Sequence, residues 1–320
     1  MLQDHSERII GIFEGTSEGP LILVVGALHG NEPAGVHALE LLFEQLEKER
    51  RDTPGFQFRG TLVGIIGNLQ GYRLRQRFLE QDLNRLWIKD FVEAIRVSDP
   101  ETLKAEALET KQLSACISEV LQSYQTTHTI FLDLHTTSAE GGIFSIPTNE
   151  GESLKLAEHL GAPAILGLHG SIQGDLMGFA TLGGFSSAES PSGTTSPPVC
   201  VAFEAGQHES PQSVTRSAIA VIRCLRRMHC ISQDVLVEFA ARLSLPFMSF
   251  VPPVVRFRYA HHIEVADEFK MRPGYVNFQP IQAGEHLADD VRGPVLSPDN
   301  GLILMPLYQA KGSDGFFIVQ

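Results

Sequence analysis

The sequence predicts an α/β protein, with a mostly parallel mixed sheet flanked by helices and a smaller β-rich C-terminal domain. Short apolar runs recur through the first two thirds of the 320 residues, and each is nearly continuous, as in strands covered on both faces. Segments with apolar residues at helical spacing separate these runs, an alternation that favours a parallel sheet. Beyond residue 240, stretches rich in Pro, Gly and β-branched residues replace the helical pattern.

The individual elements follow from these patterns. Strands are predicted over residues 21–27, 61–68, 130–135, 164–168 and 199–204. Helices are predicted over residues 33–50, 101–124 and 211–229, the last with Pro211 in its first turn. The Ser-, Pro- and Thr-rich stretch 186–198 is typical of an exposed, mobile loop. We therefore expect a domain over residues 1–240 and a β-rich domain over residues 241–320.

The composition excludes several classes of protein. Hydrophobic residues make up 43% and charged residues 20%, a balance typical of a soluble globular protein. A net charge of -13 argues against binding to nucleic acids or to an anionic membrane surface. The sequence contains no run of 18 apolar residues and no signal-peptide pattern at its N-terminus. A cytoplasmic protein is expected, with its four unpaired cysteines buried.

His29 and Glu32 follow the strand predicted over 21–27, at its carboxyl end. Ligands bind at this end of the strands in open α/β sheets. An imidazole and a carboxylate can together bind zinc, although catalytic zinc sites use three protein ligands. The alternative is the start of a helix, with Glu32 favourably placed in the first turn.

His135 is the candidate for the third ligand, because it also stands at the carboxyl end of an apolar strand. Asp133 lies two residues earlier and therefore on the same face of the strand. Its carboxylate could accept a hydrogen bond from a metal-binding imidazole. The alternative is a strand-end histidine that bonds to a neighbouring loop.

Glu204 ends the strand predicted over 199–204 and is the candidate general base. Burying a carboxylate without a partner is costly, so a metal-bound water or a substrate would explain its position. Such a base takes a proton from water and later protonates a leaving amine. The alternative is a salt bridge with an arginine from a loop.

Residues 67–87 contain a concentration of arginine in an otherwise acidic chain, namely Arg73, Arg75, Arg77 and Arg85. Arginine is suited to bidentate recognition of carboxylates. Glu80 and Asp82 are interleaved, so a solvated segment of mixed charge is the alternative.

Four motifs occur in a fixed order: His29 to Glu32 (His-Gly-Asn-Glu), Arg77-Phe78 with Asp82 to Arg85, Asp133 to His135, and Phe203 to Gly206. Together they resemble the succinylglutamate desuccinylase/aspartoacylase family, whose catalytic core is similar to that of zinc carboxypeptidases. The resemblance spans residues 21–210 and extends weakly to the C-terminus.

The resemblance implies a role for each matched position. It assigns His29, Glu32 and His135 to one zinc ion per chain and Glu204 to general base and acid catalysis. Arg77 would polarise the scissile carbonyl and stabilise the oxyanion. Substrate binding is implied for a further set of residues: Asn84 and Arg85, which would hold the amino-acid carboxylate, and Tyr308, which the C-terminal domain would offer to the site.

The chain departs from the family where an acidic substrate would be recognised. Aspartoacylases carry a Tyr and an Arg shortly before the catalytic Glu, but residues 186–203 contain neither. No Arg occurs between Arg96 and Arg216, and the segment after His135 differs from the usual desuccinylase sequence. The sequence therefore names neither the acyl group nor the amino acid.

The hypothesis from sequence is a zinc-dependent amidohydrolase that cleaves the acyl group from a small N-acyl amino acid. A carboxypeptidase-like hydrolase of small peptides is one alternative, and a non-catalytic protein that binds metal or carboxylates is another. A homo-oligomer is compatible with the sequence, which does not define the oligomeric state.

Overall fold

The computed structural model describes residues 5, 7–124, 126, 128–185, 197–242 and 251–320, without the Arg242 side chain. A large mixed sheet is flanked by helices and followed by a β-rich C-terminal region, which confirms the predicted fold class. The predicted loop falls mostly on residues 186–196, which lie outside the described residues.

The elements alternate as predicted through the first two thirds of the chain. The strands are β1 (Ile9–Glu14), β2 (Ser17–Gly26), β3 (Arg59–Ile66), β4 (Thr129–Thr137), β5 (Phe144–Pro147), β6 (Ala164–Leu166), β7 (Val199–Gln207), β8 (Val254–His262), β9 (Lys270–Met271), β10 (Gln279–Ile281), β11 (His286–Asp290), β12 (Gly293–Leu296), β13 (Gly301–Leu304) and β14 (Asp314–Val319). The helices are α1 (Ala34–Asp52), α2 (Leu69–Leu74), α3 (Lys89–Val97), α4 (Ala105–Ser123), α5 (Glu152–His159), α6 (Leu176–Thr181), α7 (Pro211–Arg227) and α8 (Val237–Arg242).

All five predicted strands and the three predicted helices are present. The helix predicted from residue 101 begins only at Ala105, because Pro100–Thr102 form a separate 3-10 turn capped by the Asp99 side chain. The four-residue strand β5 and the edge strand β1 were not predicted. β5 is too short for its pattern to be recognised, whereas β1 (IIGIFE) is an apolar run that the sequence analysis passed over.

The sheet has eleven strands in the order β1-β3-β2-β4-β7-β5-β6-β8-β14-β13-β10. Strands β3, β2, β4 and β7 are parallel, and their register places His135 beside Glu204. β8 pairs with β6, so the sheet is continuous across residue 241. β9, β11 and β12 form a separate three-stranded sheet. The division into two domains at residue 240 stays a prediction.

Both faces of the central strands are covered. In β2, Ile22 and Val24 pack in one core cluster with α1 and α7, whereas Leu21, Leu23 and Val25 pack in a second cluster with α4 and α6. This two-residue alternation follows from the pleat of the strand. Because helices cover both faces, polar side chains can gather in a cavity only where the strands end.

All four cysteines are buried and free. No helix in the described ranges is long and apolar enough to cross a bilayer.

Candidate active site

A cavity of about 120 Å³ lies at the carboxyl ends of β2, β4 and β7. The loops after β2 and the end of β4 bring His29, Glu32 and His135 together there, and Glu204 of β7 lines the same space. Seven of the eight residues to which the family resemblance assigns a role line this cavity: His29, Glu32, Arg77, Asn84, Arg85, His135 and Glu204.

Glu32 is the centre of the arrangement and is 1% exposed. Its Oε1 lies 3.0 Å from His29 Nδ1, and its Oε2 lies 3.1 Å from His135 Nδ1. The Thr136 backbone N–H also donates to Oε2, at 2.9 Å. Burial alone would raise the pKa of Glu32, but the two histidines hold it well below the usual value. Both imidazoles therefore present Nδ1 to one ionised carboxylate.

The second nitrogen of each imidazole contacts its own carboxylate. His29 Nε2 lies 3.1 Å from Asp82 Oδ1, and His135 Nε2 lies 2.7 Å from Asp133 Oδ2. Burial would lower the pKa of His135, yet Asp133 and Glu32 raise it well above the usual value. Such partners fix the ring orientation and tautomer of metal-binding histidines. Asp133 thus contacts the outer nitrogen of His135 as the sequence predicted, and Asp82 contacts the outer nitrogen of His29 in the same way.

The donor set fits a zinc ion. One ligand atom from each of His29, Glu32 and His135 lies within 4.8 Å of the other two, and all three residues are buried. Two histidines and one glutamate form the ligand set of several zinc peptidases. A cation between them would displace the proton held by His135, so its binding would depend on pH.

Gly30 explains how the loop after β2 reaches this position. Its φ is not positive, so the loop does not need glycine for a left-handed turn. A Cβ at Gly30 would instead lie 2.0 Å from the Gly71 carbonyl carbon. The Gly30 N–H donates to the Arg77 carbonyl oxygen at 3.1 Å, so the missing side chain lets two backbone segments of the site approach closely.

Of the four arginines in residues 67–87, only Arg77 and Arg85 line the cavity. Arg77 Nη1 lies 3.3 Å from Glu32 Oε1, and its Nη2 lies 3.1 Å from Asp82 Oδ2. Arg73 is exposed and pairs with Glu7. The solvated mixed-charge interpretation therefore describes only part of this segment.

Asn84 and Arg85 lie on a 3-10 turn whose start is capped by Asp82. Asn84 Oδ1 accepts the Leu176 N–H at 2.9 Å, and Arg85 Nη2 donates to Asp314 Oδ2 at 2.9 Å. The structure does not bring Tyr308 to the cavity. Its hydroxyl donates to the Arg272 carbonyl oxygen and accepts the Tyr275 N–H, so we assign it no substrate contact.

Glu204 differs from the other carboxylates of the site. It is 7% exposed, and its Oε2 has no hydrogen-bond partner among the described residues. Burial raises its pKa to about 8, against the opposing effects of His135 and Arg77. The structure gives no support to the alternative of a salt bridge, because neither cavity arginine bonds to Glu204 in the described residues. A protonatable carboxyl group therefore faces the cavity.

This pKa predicts how the stability of the metal-free protein varies with pH. From about pH 4.3 to 8, folded Glu204 holds a proton that the unfolded chain has lost, so the free energy of unfolding falls as pH rises. We expect Glu204→Gln to gain more than ~1 kcal/mol in stability over the native protein between pH 5 and 9. Urea unfolding of both metal-free proteins measures this, and a pH-independent difference would contradict it.

Residues 18–222 match the succinylglutamate desuccinylase/aspartoacylase catalytic domain. The chain belongs to the succinylglutamate desuccinylase/aspartoacylase family.

Members of this family resemble the chain in sequence or in fold. A protein named probable aspartoacylase from Acaryochloris marina is 30% identical over 142 residues, which cover 43% of this chain and 42% of the relative. The alignment thus spans less than half of that relative. Succinylglutamate desuccinylase from Vibrio cholerae superposes with a TM-score of 0.63 at 16% identity, covering 95% of this chain and 81% of the other. A succinylglutamate desuccinylase/aspartoacylase from Rhodobacter sphaeroides gives 0.61 at 14% identity, covering 95% and 86%.

The sequence did not identify several residues of the cavity. Asp82 was counted as part of a mixed-charge segment, although its partner is His29. Asp314 and the His169–Asp175 pair also line the cavity, from segments without a recognisable motif. Only the spacing of Asp82 before Asn84 and Arg85, within a family motif, could have indicated one of them.

Proposed function

We propose that the protein is a zinc-dependent amidohydrolase that removes the acyl group from an N-acyl amino acid. Family membership supports hydrolysis of this type. The observation that carries the proposal is a buried Glu204 carboxyl oxygen that has no hydrogen-bond partner among the described residues and lies beside the His29–Glu32–His135 cluster. A site that only bound a metal would have no use for such a group.

In this proposal His29, Glu32 and His135 hold the zinc ion. Zinc at such a site lowers the pKa of bound water and polarises a carbonyl group. Glu204 accepts the proton of the attacking water and delivers it to the nitrogen of the leaving amine. The pKa of about 8 belongs to the metal-free site, and a zinc ion beside the carboxylate would lower it, so that Glu204 can be ionised to accept a proton and then protonated to deliver it.

In this proposal Arg77 stabilises the oxyanion and Arg85 binds the substrate carboxylate. Arg77 directs its guanidinium into the cavity from the Asp82 side and supplies N–H donors to the oxyanion that forms at the carbonyl. Asn84 and Arg85 bind the carboxylate of the amino-acid part and thereby orient the amide bond. Arg85 keeps N–H groups for this purpose, because a guanidinium has five of them and the chain uses one for Asp314 and one for the Asn84 carbonyl oxygen.

The test is to purify the full chain with zinc, measure its metal content, and screen N-acyl amino acids and short peptides for amine release. We expect one zinc ion per chain and turnover of N-acyl amino acids. Turnover confined to peptides would favour a carboxypeptidase-like hydrolase. Stoichiometric metal without turnover on either panel would favour a non-catalytic binding protein.

The two outer carboxylates give a separate prediction on metal affinity. Asp82→Asn and Asp133→Asn should each weaken zinc binding about 10–100-fold, because each imidazole loses the anion that holds its outer nitrogen. Competition with a chromogenic chelator measures the affinity. Asp90→Asn is the matched control, since Asp90 is exposed on α3. Zinc affinity unchanged in both variants would contradict the proposed ligand geometry.

A further inference from the structure

The two arginines that line the cavity are already paired with carboxylates of the chain itself. Arg77 lies 3.1 Å from Asp82, and Arg85 lies 2.9 Å from Asp314. His169 Nδ1 lies 3.4 Å from Asp175 Oδ1. The stretches 186–196 and 243–250, which the structure does not describe, contain no Lys, Arg or His. A second substrate carboxylate would therefore find no unmatched cation in the described cavity.

Asp314 is the carboxylate that offsets the positive charge of Arg85 at the cavity wall. It is the first residue of β14 and stands opposite His262 of β8 in the sheet register. Its Oδ1 lies 2.6 Å from His262 Nδ1, while its Oδ2 accepts the Arg85 N–H. The side chain is 12% exposed. Because two strands fix this carboxylate beside Arg85, the Arg85–Asp314 pair carries no net charge. The remaining Arg85 donors can hold one substrate carboxylate, but a second carboxylate close by would meet Asp314 without a cation to offset it.

The remaining wall is part apolar and part polar. The polar part consists of side chains that already form hydrogen bonds within the chain, those of Thr136, Thr137, Ser138, Gln309 and Ser313. Ile146, Met177 and Phe317 line the cavity and are at most 7% exposed. They come from β5, α6 and β14, three elements of the folded framework. Leu307 and Ile172 extend the same surface. These groups offer dispersion contacts to an apolar substrate group but no hydrogen bond to a carboxylate.

Building on the proposed function, we propose that the substrate carries a single carboxylate and an uncharged, apolar side chain or acyl group. Asp314 is the specificity-determining residue that excludes a second carboxylate. N-acyl derivatives of leucine or methionine are substrates of this class, and N-acyl aspartate and glutamate are not. One carboxylate is accommodated by the donors that Arg85 and Asn84 have left.

Binding to the zinc-loaded full chain with Glu204→Gln separates recognition from turnover. Isothermal titration calorimetry with N-acetyl-L-leucine and N-acetyl-L-aspartate should give at least tenfold tighter binding of the leucine derivative. Equal or tighter binding of the aspartate derivative would overturn this inference and leave the proposed function intact. Binding of neither ligand would remove the proposed function, and the inference with it.

Asp314→Asn in the same background tests the residue. We expect the preference for the leucine derivative to fall at least fivefold, through tighter binding of the aspartate derivative. Asp314→Ser is the second variant if the first does not fold, and Asp90→Asn is the matched control. A preference that is unchanged in a folded Asp314 variant, with the leucine derivative still bound, would overturn the role of Asp314.

Discussion

Replacing Glu204 with Gln is expected to lower kcat by about 10²–10⁴-fold while the protein keeps its zinc. The amide has nearly the same shape as the carboxyl group but can neither accept the proton of water nor return it to the amine. Because Glu204 is not among the residues that hold the metal, zinc content should equal that of the native protein. Amine release from the best N-acyl amino acid measures kcat, and atomic emission measures zinc.

Glu209→Gln makes the same chemical change on an exposed residue five positions later and should leave kcat unaltered. Full activity in the Glu204 variant would remove Glu204 from its assigned role. Loss of zinc together with activity would instead mean that Glu204 supports the metal site, and the division of labour proposed for the four residues would be wrong.

The two predicted histidine ligands and the predicted base lie at the ends of apolar strands, whereas Arg77, Asn84 and Arg85 were identified only through the family resemblance. His29, His135 and Glu204 follow β2, β4 and β7 or end them, and parallel strands bring their carboxyl ends to one edge. Local pattern therefore sufficed to propose that these three residues meet. The fold class was predictable for the same reason, since buried strands and amphipathic helices leave strong signals in the sequence.

Contacts that depend on tertiary packing could not be predicted in this way. Asp314 reaches Arg85 only because β14 pairs with β8 at the far side of the sheet. Tyr308 stands in the sequence where the family resemblance implies a substrate-binding tyrosine. Its hydroxyl is hydrogen-bonded to the backbone of Arg272 and Tyr275. The local sequence does not determine that Asp314 lines the cavity and Tyr308 does not.

The contacts of Glu106 also depend on tertiary packing, and its replacement is expected to have the second large effect. In the sequence it is one more acidic residue near the start of α4, yet it is 1% exposed. Its Oε1 accepts the Leu79 N–H at 2.6 Å and the Asn68 Nδ2 at 3.1 Å. Its Oε2 accepts the N–H groups of Glu80 and Gln81, at 2.9 and 3.1 Å. Burial raises the pKa of Glu106, but these backbone donors outweigh it and lower the pKa.

The Glu106 carboxylate therefore fixes the backbone of residues 79–81, which lie between Arg77 and Asp82. Glu106→Ala should leave three backbone N–H groups without their acceptor and destabilise the protein by at least ~3 kcal/mol, measured by urea unfolding. In protein that remains folded, we expect kcat to fall more than tenfold with a smaller change in KM, since Arg77 acts on the oxyanion rather than on ground-state binding. Zinc affinity should also fall, because Asp82 holds His29.

Two further variants distinguish positioning from general damage to the helix. Glu106→Gln keeps one oxygen but turns an N–H₂ group toward backbone donors, so it should lie between the native protein and Glu106→Ala in both stability and kcat. Glu119→Ala removes a half-buried glutamate from the same helix and should leave kcat unchanged. If Glu106→Ala lost stability but retained the native kcat and zinc affinity, the carboxylate would serve the fold alone, and the geometry of Arg77 and Asp82 would be set by their contacts with Glu32 and His29.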